Sequence, residues 1–154
     1  MIPRFGRRRS ALAADNEDNA LTIARESHRG ESTEAYRRAV EHSEALLRLE
    51  DGWDSYKARR PSPRSIEFAL SFLREAIDFF LDDGVEMPAP FLVPTLRGGV
   101  QFEWRVGNRE LELEIQEPEQ FLYLAVDGDE EREGTATRWR AMRLIRWVIS
   151  GDEV

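Results

Sequence analysis

Cysteine is absent from the 154 residues, and histidine occurs only as His28 and His42. Disulfides, thiolate metal sites and cysteine nucleophiles are thereby excluded, and an imidazole-rich metal centre cannot be assembled. The sequence also lacks any apolar run near the ~18 residues that a membrane-spanning helix requires. Its basic start, Arg4 with Arg7, Arg8 and Arg9, leads into Ala11-Leu12-Ala13-Ala14-Asp15 without the apolar centre of a secretory leader. The expectation is a cytoplasmic protein that makes no use of a membrane. Lysine is nearly missing too: Lys57 stands alone among 22 basic residues, a bias that reflects coding composition and carries no functional weight.

What is present suits a globular chain. With 41% apolar residues, 4 Trp and 8 Phe the sequence is too aromatic for a disordered polymer, and with 34% charged residues it is too polar for a membrane protein. The length fits one domain. A net charge of −8 is unevenly spread. Residues 1–10 carry four arginines and no acid, whereas Asp127 to Glu133 holds five acids and one arginine.

Residues 1–31 show no sustained periodicity and read as a mobile or loosely docked arm, followed by a single domain over 32–150 and a short tail, 151–154. From Ser32 the spacing is helical, with Tyr36, Ala39, Val40, Ser43, Leu46 and Leu47 on one face, and it stops at Gly52. A second helix starts where Ser62 can cap and Pro63 fits the first turn, and runs to about Asp82. Ile66, Ala69, Leu70, Leu73, Ala76, Ile77 and Phe80 share one face of it. Phe68, Phe72 and Phe79 form a stripe on another, so this helix is either wedged between a sheet and the first helix or open to a subunit interface.

After Pro90 the period becomes two. Phe91–Thr95 predicts a short strand. Val100, Phe102, Trp104 and Val106 then alternate with polar residues, as do Leu111, Leu113 and Ile115. Gly107-Asn108 is a hairpin turn signal, and pairing Val106 with Arg109 sets Trp104 against Leu111 and Phe102 against Leu113. A fourth strand, Gln120–Val126, is apolar on both sides, so its inward face stays open. After an acidic loop, Thr135 or Thr137 caps a last helix ending near Ser150. The expected fold class is α+β: two N-terminal helices, a four-stranded antiparallel meander sheet and a C-terminal helix, with the helices on one sheet face.

Three constellations stand out. On the polar side of the hairpin Arg105 opposes Glu110, but Glu103 lies directly opposite Glu112, with Glu114 nearby. Such carboxylates could bind a divalent cation, receive a basic partner, or form a solvated face. Trp53, Asp54 and Tyr56 could line a pocket or make a structural corner. On the last helix, Trp139, Arg143 and Trp147 are spaced i, i+4, i+8 and interleaved with Arg140 and Arg146. They offer either a partner-binding ladder of indoles and guanidinium groups, or indoles covered within the same chain. Four arginines in an acidic domain are few for phosphate-backbone affinity, so nucleic acid is not the expected partner.

Gly52-Trp53-Asp54-Ser55-Tyr56, Pro61-Ser62, Val93-Pro94-Thr95, Gly98-Gly99-Val100-Gln101-Phe102-Glu103-Trp104 and Leu111-Glu112-Leu113-Glu114-Ile115 together resemble a family of small uncharacterised bacterial proteins. The resemblance covers about Leu46 to Val126. It implies an accessory gene of a mobile or defence-related locus and a small partner protein, and it supplies no catalytic residue.

The first expectation is a non-enzymatic protein-binding module, such as an antitoxin-like, immunity-like or accessory subunit. Its partner would be another protein encoded nearby or a further copy of the chain, and no cofactor is expected. The alternatives are a divalent-metal-binding protein or metal-dependent enzyme built on Glu103, Glu112 and Glu114, and a small acidic secretion-type chaperone.

Overall fold

A computed structural model describes residues 34–117 and 120–152; the expected arm, residues 1–31, and the end of the expected tail lie outside them. Residues 34–47 form helix α1, whose inward face is built from Ala35, Ala39, Ser43 and Leu46. Small residues let this helix approach its neighbours closely. The buried Ser43 hydroxyl donates to the Val40 carbonyl (2.7 Å), which removes the cost of an unpaired polar group.

Helix α2, Pro63–Asp82, starts as its sequence dictates: the Ser62 hydroxyl accepts from the Ser65 amide and Pro63 occupies the first turn. It buries Ile66, Ala69, Phe72, Leu73, Ala76, Ile77 and Phe80. Phe72 packs on Phe121 and Phe102 with ring centroids 4.7 and 6.2 Å apart. This corrects one member of the expected interface stripe, because Phe72 is fully buried against the sheet, while Phe68 and Phe79 are half-buried.

The sheet is an antiparallel meander of five strands in the order β1-β2-β3-β4-β5. They are Phe91–Pro94, Val100–Val106, Arg109–Glu117, Gln120–Asp127 and Glu130–Thr137. The β2–β3 register pairs Val106 with Arg109, Trp104 with Leu111 and Phe102 with Leu113, as the turn signal predicts. On β4, Phe121, Tyr123 and Ala125 face the core and Leu122 and Leu124 face away.

The expectation of four strands is corrected by β5. Its sequence, Glu-Glu-Arg-Glu-Gly-Thr-Ala-Thr, has no apolar alternation, so it reads as loop. It nevertheless pairs with β4 along its whole length. Its inward positions are Arg132, Gly134 and Ala136, opposite Ala125, Tyr123 and Phe121. Gly134 is small because the Tyr123 ring lies over it; an added Cβ would stand 3.3 Å from Tyr123 Cε1. As an edge strand, β5 is also protected from further pairing by its charges.

Helix α3, Arg138–Ser150, is capped by the Thr137 hydroxyl, which accepts from the Arg140 amide. Ala141, Leu144, Ile145 and Val148 pack on the same sheet face that α2 covers. Its end is closed twice. Gly151 takes φ 80° and donates its amide to the Trp147 carbonyl (2.8 Å), and the Arg109 guanidinium donates to the carbonyls of Val148 and Ile149 (3.1 and 3.2 Å). A cation at the negative end of a helix is favourable. Helix α1 leans on α2, where Arg74 sits over the Tyr36 ring, and on the β1 edge, where His42 stacks on Phe91.

Trp147 is 5% exposed and Trp139 63% exposed. Trp147→Ala should therefore cost ~3 to 5 kcal/mol of folding stability, the range for a buried aromatic. Trp139→Ala should cost about 1 kcal/mol or less, the size of one aromatic edge contact. Chemical denaturation of the two variants checks the difference, and equal losses would contradict the packing.

Candidate functional site

Side-chain alternation places one set of rows inward and another on a sheet face that no described element covers. Outward rows run Phe91–Glu103–Glu112–Leu124–Glu133, Val93–Gln101–Glu114–Leu122–Thr135 and Arg105–Glu110–Val126–Glu131. Glutamates dominate the middle of this surface, with Arg105 in an outer row and Arg97 at its border. Exposed or half-buried apolar groups, with Leu122 37% exposed, flank the carboxylates.

Glu103 and Glu112 are direct cross-strand partners, as the register predicts. Gln101 holds them together: its side-chain amide donates to Glu103 Oε1 (3.0 Å) and Glu112 Oε2 (3.1 Å). Glu114 accepts from the Gln116 amide (2.7 Å), and Arg105 pairs with Glu110 (3.0 Å). Partial burial pushes the Glu112 carboxyl above the usual glutamate value, and the neighbouring Glu103 charge adds to it. Two clefts border the cluster, one of ≈ 300 Å³ between Phe91, Glu103, Arg105, Glu110 and Glu112, the other of ≈ 410 Å³ reaching from Val93 and Arg97 to Glu114 and Leu122.

The candidate metal ligands Glu103, Glu112 and Glu114 thus share one face. Among the described residues, however, no three His, Asp or Glu side chains converge as a metal site. A neutral amide already occupies the space between Glu103 and Glu112, and Glu114 is engaged elsewhere.

The candidate ladder on α3 is redistributed. Trp147 turns inward, and Arg132 of β5 lies over its ring at 5.0 Å, so it does not stack with Arg143 or Trp139. This is a correction with a plain cause: the unforeseen fifth strand covers that side of the helix. Trp139 stays exposed and meets the Phe79 edge at 6.0 Å. Arg140 donates to the Tyr123 hydroxyl (2.9 Å) and lies over that ring. Arg146 pairs with Asp83 while resting over Phe79 and Phe80, and Arg138 pairs with Glu75 while resting over Phe68. Arg138 and Arg146 thus clamp α3 to α2, and Arg140 ties it to β4. Arg143 is exposed and forms no ion pair among the described residues.

Trp53, Asp54 and Tyr56 form a corner held by hydrogen bonds. Trp53 donates its indole N–H to the Arg59 carbonyl (3.1 Å). One Asp54 oxygen accepts from the amides of Tyr56 and Ala58 (both 2.9 Å), and these bonds hold its carboxyl below the usual aspartate range, Ala58 first. The corner docks on the β1–β2 turn through Arg59 N–H to Leu96 O and Ser62 N–H to Gly98 O. Gly98 has φ 86°, and a Cβ there would lie 3.0 Å from the Arg60 carbonyl, so only glycine fits the junction. Tyr56, 88% exposed, points away from it.

A carboxyl whose folded value is raised binds its proton more readily in the folded state. It therefore subtracts stability as pH rises from the ordinary 4.5 through that raised value. Glu112→Gln keeps an acceptor for Gln101 and removes the charge. It should stabilise the fold at pH 7 by about 0.2 to 1 kcal/mol, the size of a cross-strand like-charge pair. The gain should shrink as pH falls toward 4.5. Denaturant midpoints across that range check it, and a loss of stability at pH 7 would contradict the account. No protein family, curated protein or solved structure matches the chain.

Proposed function

We propose that the chain is a non-enzymatic protein-binding module of the antitoxin-like, immunity-like or accessory-subunit kind, and that it receives a basic segment of its partner on the open sheet face. One observation carries the reading: like charges are held directly opposite each other on an uncovered sheet, with apolar groups beside them. That arrangement opposes stability, and local rules are broken in this way mainly where a surface has work to do. A guanidinium or ammonium group laid over Glu103 and Glu112 from the solvent side, outside the Gln101 bridge, would offset the repulsion, and Leu122 and Leu124 would give the same segment an apolar contact.

Acid–base catalysis is a poorer fit. General acid and general base need environments that separate them, whereas Gln101 ties Glu103 and Glu112 into one shared network. The exposed Trp139, with Arg143 one turn on, is a smaller second contact in the proposed assembly.

Co-expression with the products of neighbouring genes provides the test. Glu103→Lys with Glu114→Lys removes repulsion from the sheet, so the variant should fold at least as well as the parent. It should nevertheless lose about tenfold or more in affinity for the co-purifying protein, and parent binding should weaken with salt. Full binding by the double variant, together with loss of binding in Trp139→Ala, would move the site to the helices and overturn the reading.

A further inference from the structure

We infer that the basic segment Arg4-Phe5-Gly6-Arg7-Arg8-Arg9 of the same chain docks on the open face and competes with the partner for it. The inference rests on the proposed role of that face and adds its regulation.

Charge complementarity is the first support. The face presents Glu103 and Glu112 bridged by one amide, with Glu114 beside them, and continues to Glu131 and Glu133 on β5, while Arg105 lies in an outer row and Arg97 at the β1–β2 turn. On the opposite side of the sheet Arg138 and Arg146 are paired with Glu75 and Asp83, and Arg140 with the Tyr123 hydroxyl. Residues 4–9 carry four arginines and no acid, with Phe5 able to meet Leu122 and Leu124. Guanidinium groups match carboxylates as two-pronged donors.

Reach is the second support. The described chain begins at Glu34, which lines a cleft with Glu86, Met87, Pro88 and Ala89. Phe91, just beyond, heads the row that passes through Glu103 and Glu112. Residues 10–33 can span up to roughly 80 Å at ~3.3 Å per residue, whereas five strands ~4.8 Å apart make a face about 19 Å wide. The segment is tethered near the start of β1 with length enough to reach the face. Tethering gives it an effective concentration of order millimolar, enough for a weak contact to be populated before a partner arrives.

The absence of cysteine makes the test direct. In the full-length protein, Gly6→Cys carrying a nitroxide should broaden amide signals of β3 and β4 at the open face far more than those of α3. Arg7→Ser, Arg8→Ser and Arg9→Ser together, or about 0.5 M NaCl, should restore them. Broadening that is absent, evenly spread or indifferent to the arginines overturns the inference. So does broadening that appears when spin-labelled chains are mixed with unlabelled, isotope-enriched ones, because the segment would then bind a second copy. The triple serine variant should also bind the co-purifying partner several-fold more tightly than the parent; unchanged affinity would contradict competition. Arginine-dependent broadening without any partner contact at the face would sink the functional reading alone, and partner contact without broadening would sink only this inference.

Discussion

The pairing of β2 with β3 is the constraint from which the rest follows. Once Val106 stands opposite Arg109, every side chain in both strands is assigned to one of two faces, and a slip of one residue would exchange the faces completely. The assignment spreads across the sheet through the ladder. Leu92, Phe102, Leu113 and Tyr123 form one inward row, and Trp104, Leu111 and Ala125 another. These rows are the floor on which Phe72 of α2 and Leu144, Ile145 and Val148 of α3 rest. Buried Trp104 is satisfied as well, its indole N–H donating to the Pro88 carbonyl (3.1 Å).

The same register forces glutamate against glutamate on the other face. Glu103 and Glu112 cannot be moved apart without disturbing Phe102, Trp104, Leu111 and Leu113, their neighbours in the strands. The structure meets the conflict with one amide, Gln101, bridging both carboxylates, and with the proton affinity of Glu112 raised. Positive charge is concentrated away from that face. Arg138 and Arg146 join α3 to α2, Arg109 closes the end of α3 and Arg132 covers Trp147. The acidic face therefore retains its negative field for whatever contacts it.

Much of this was legible because it is local. Ser62-Pro63 announces its helix through capping chemistry, Thr135 and Thr137 offer two caps of which the last helix uses Thr137, and Gly107-Asn108 with flanking alternation determines a hairpin by geometry alone. What was illegible depends on contacts distant in sequence. Strand β5 has no hydrophobic period because its inward positions are filled by the reach of others: Tyr123 lies over Gly134, and Trp147 lies beneath Arg132. Missing that strand also left Trp147 on an apparently free side of α3. The inward face of β4 could not be chosen from its own residues, since Phe121 and Tyr123 compete with Leu122 and Leu124, and it is set by pairing with β3 and β5. For the candidate site, the opposition of Glu103 and Glu112 follows from register, whereas the Gln101 bridge requires side-chain geometry.

The central claim is that the carboxylate face is the contact surface. Carbodiimide labelling of carboxylates, read residue by residue by mass spectrometry, tests it most directly when the protein alone is compared with its complex with the co-purifying partner. The account predicts that Glu103, Glu112 and Glu114 lose reactivity in the complex, while Asp78 and Glu67 on the exposed side of α2 keep theirs. Unchanged labelling of the three sheet glutamates in a saturated complex would contradict it.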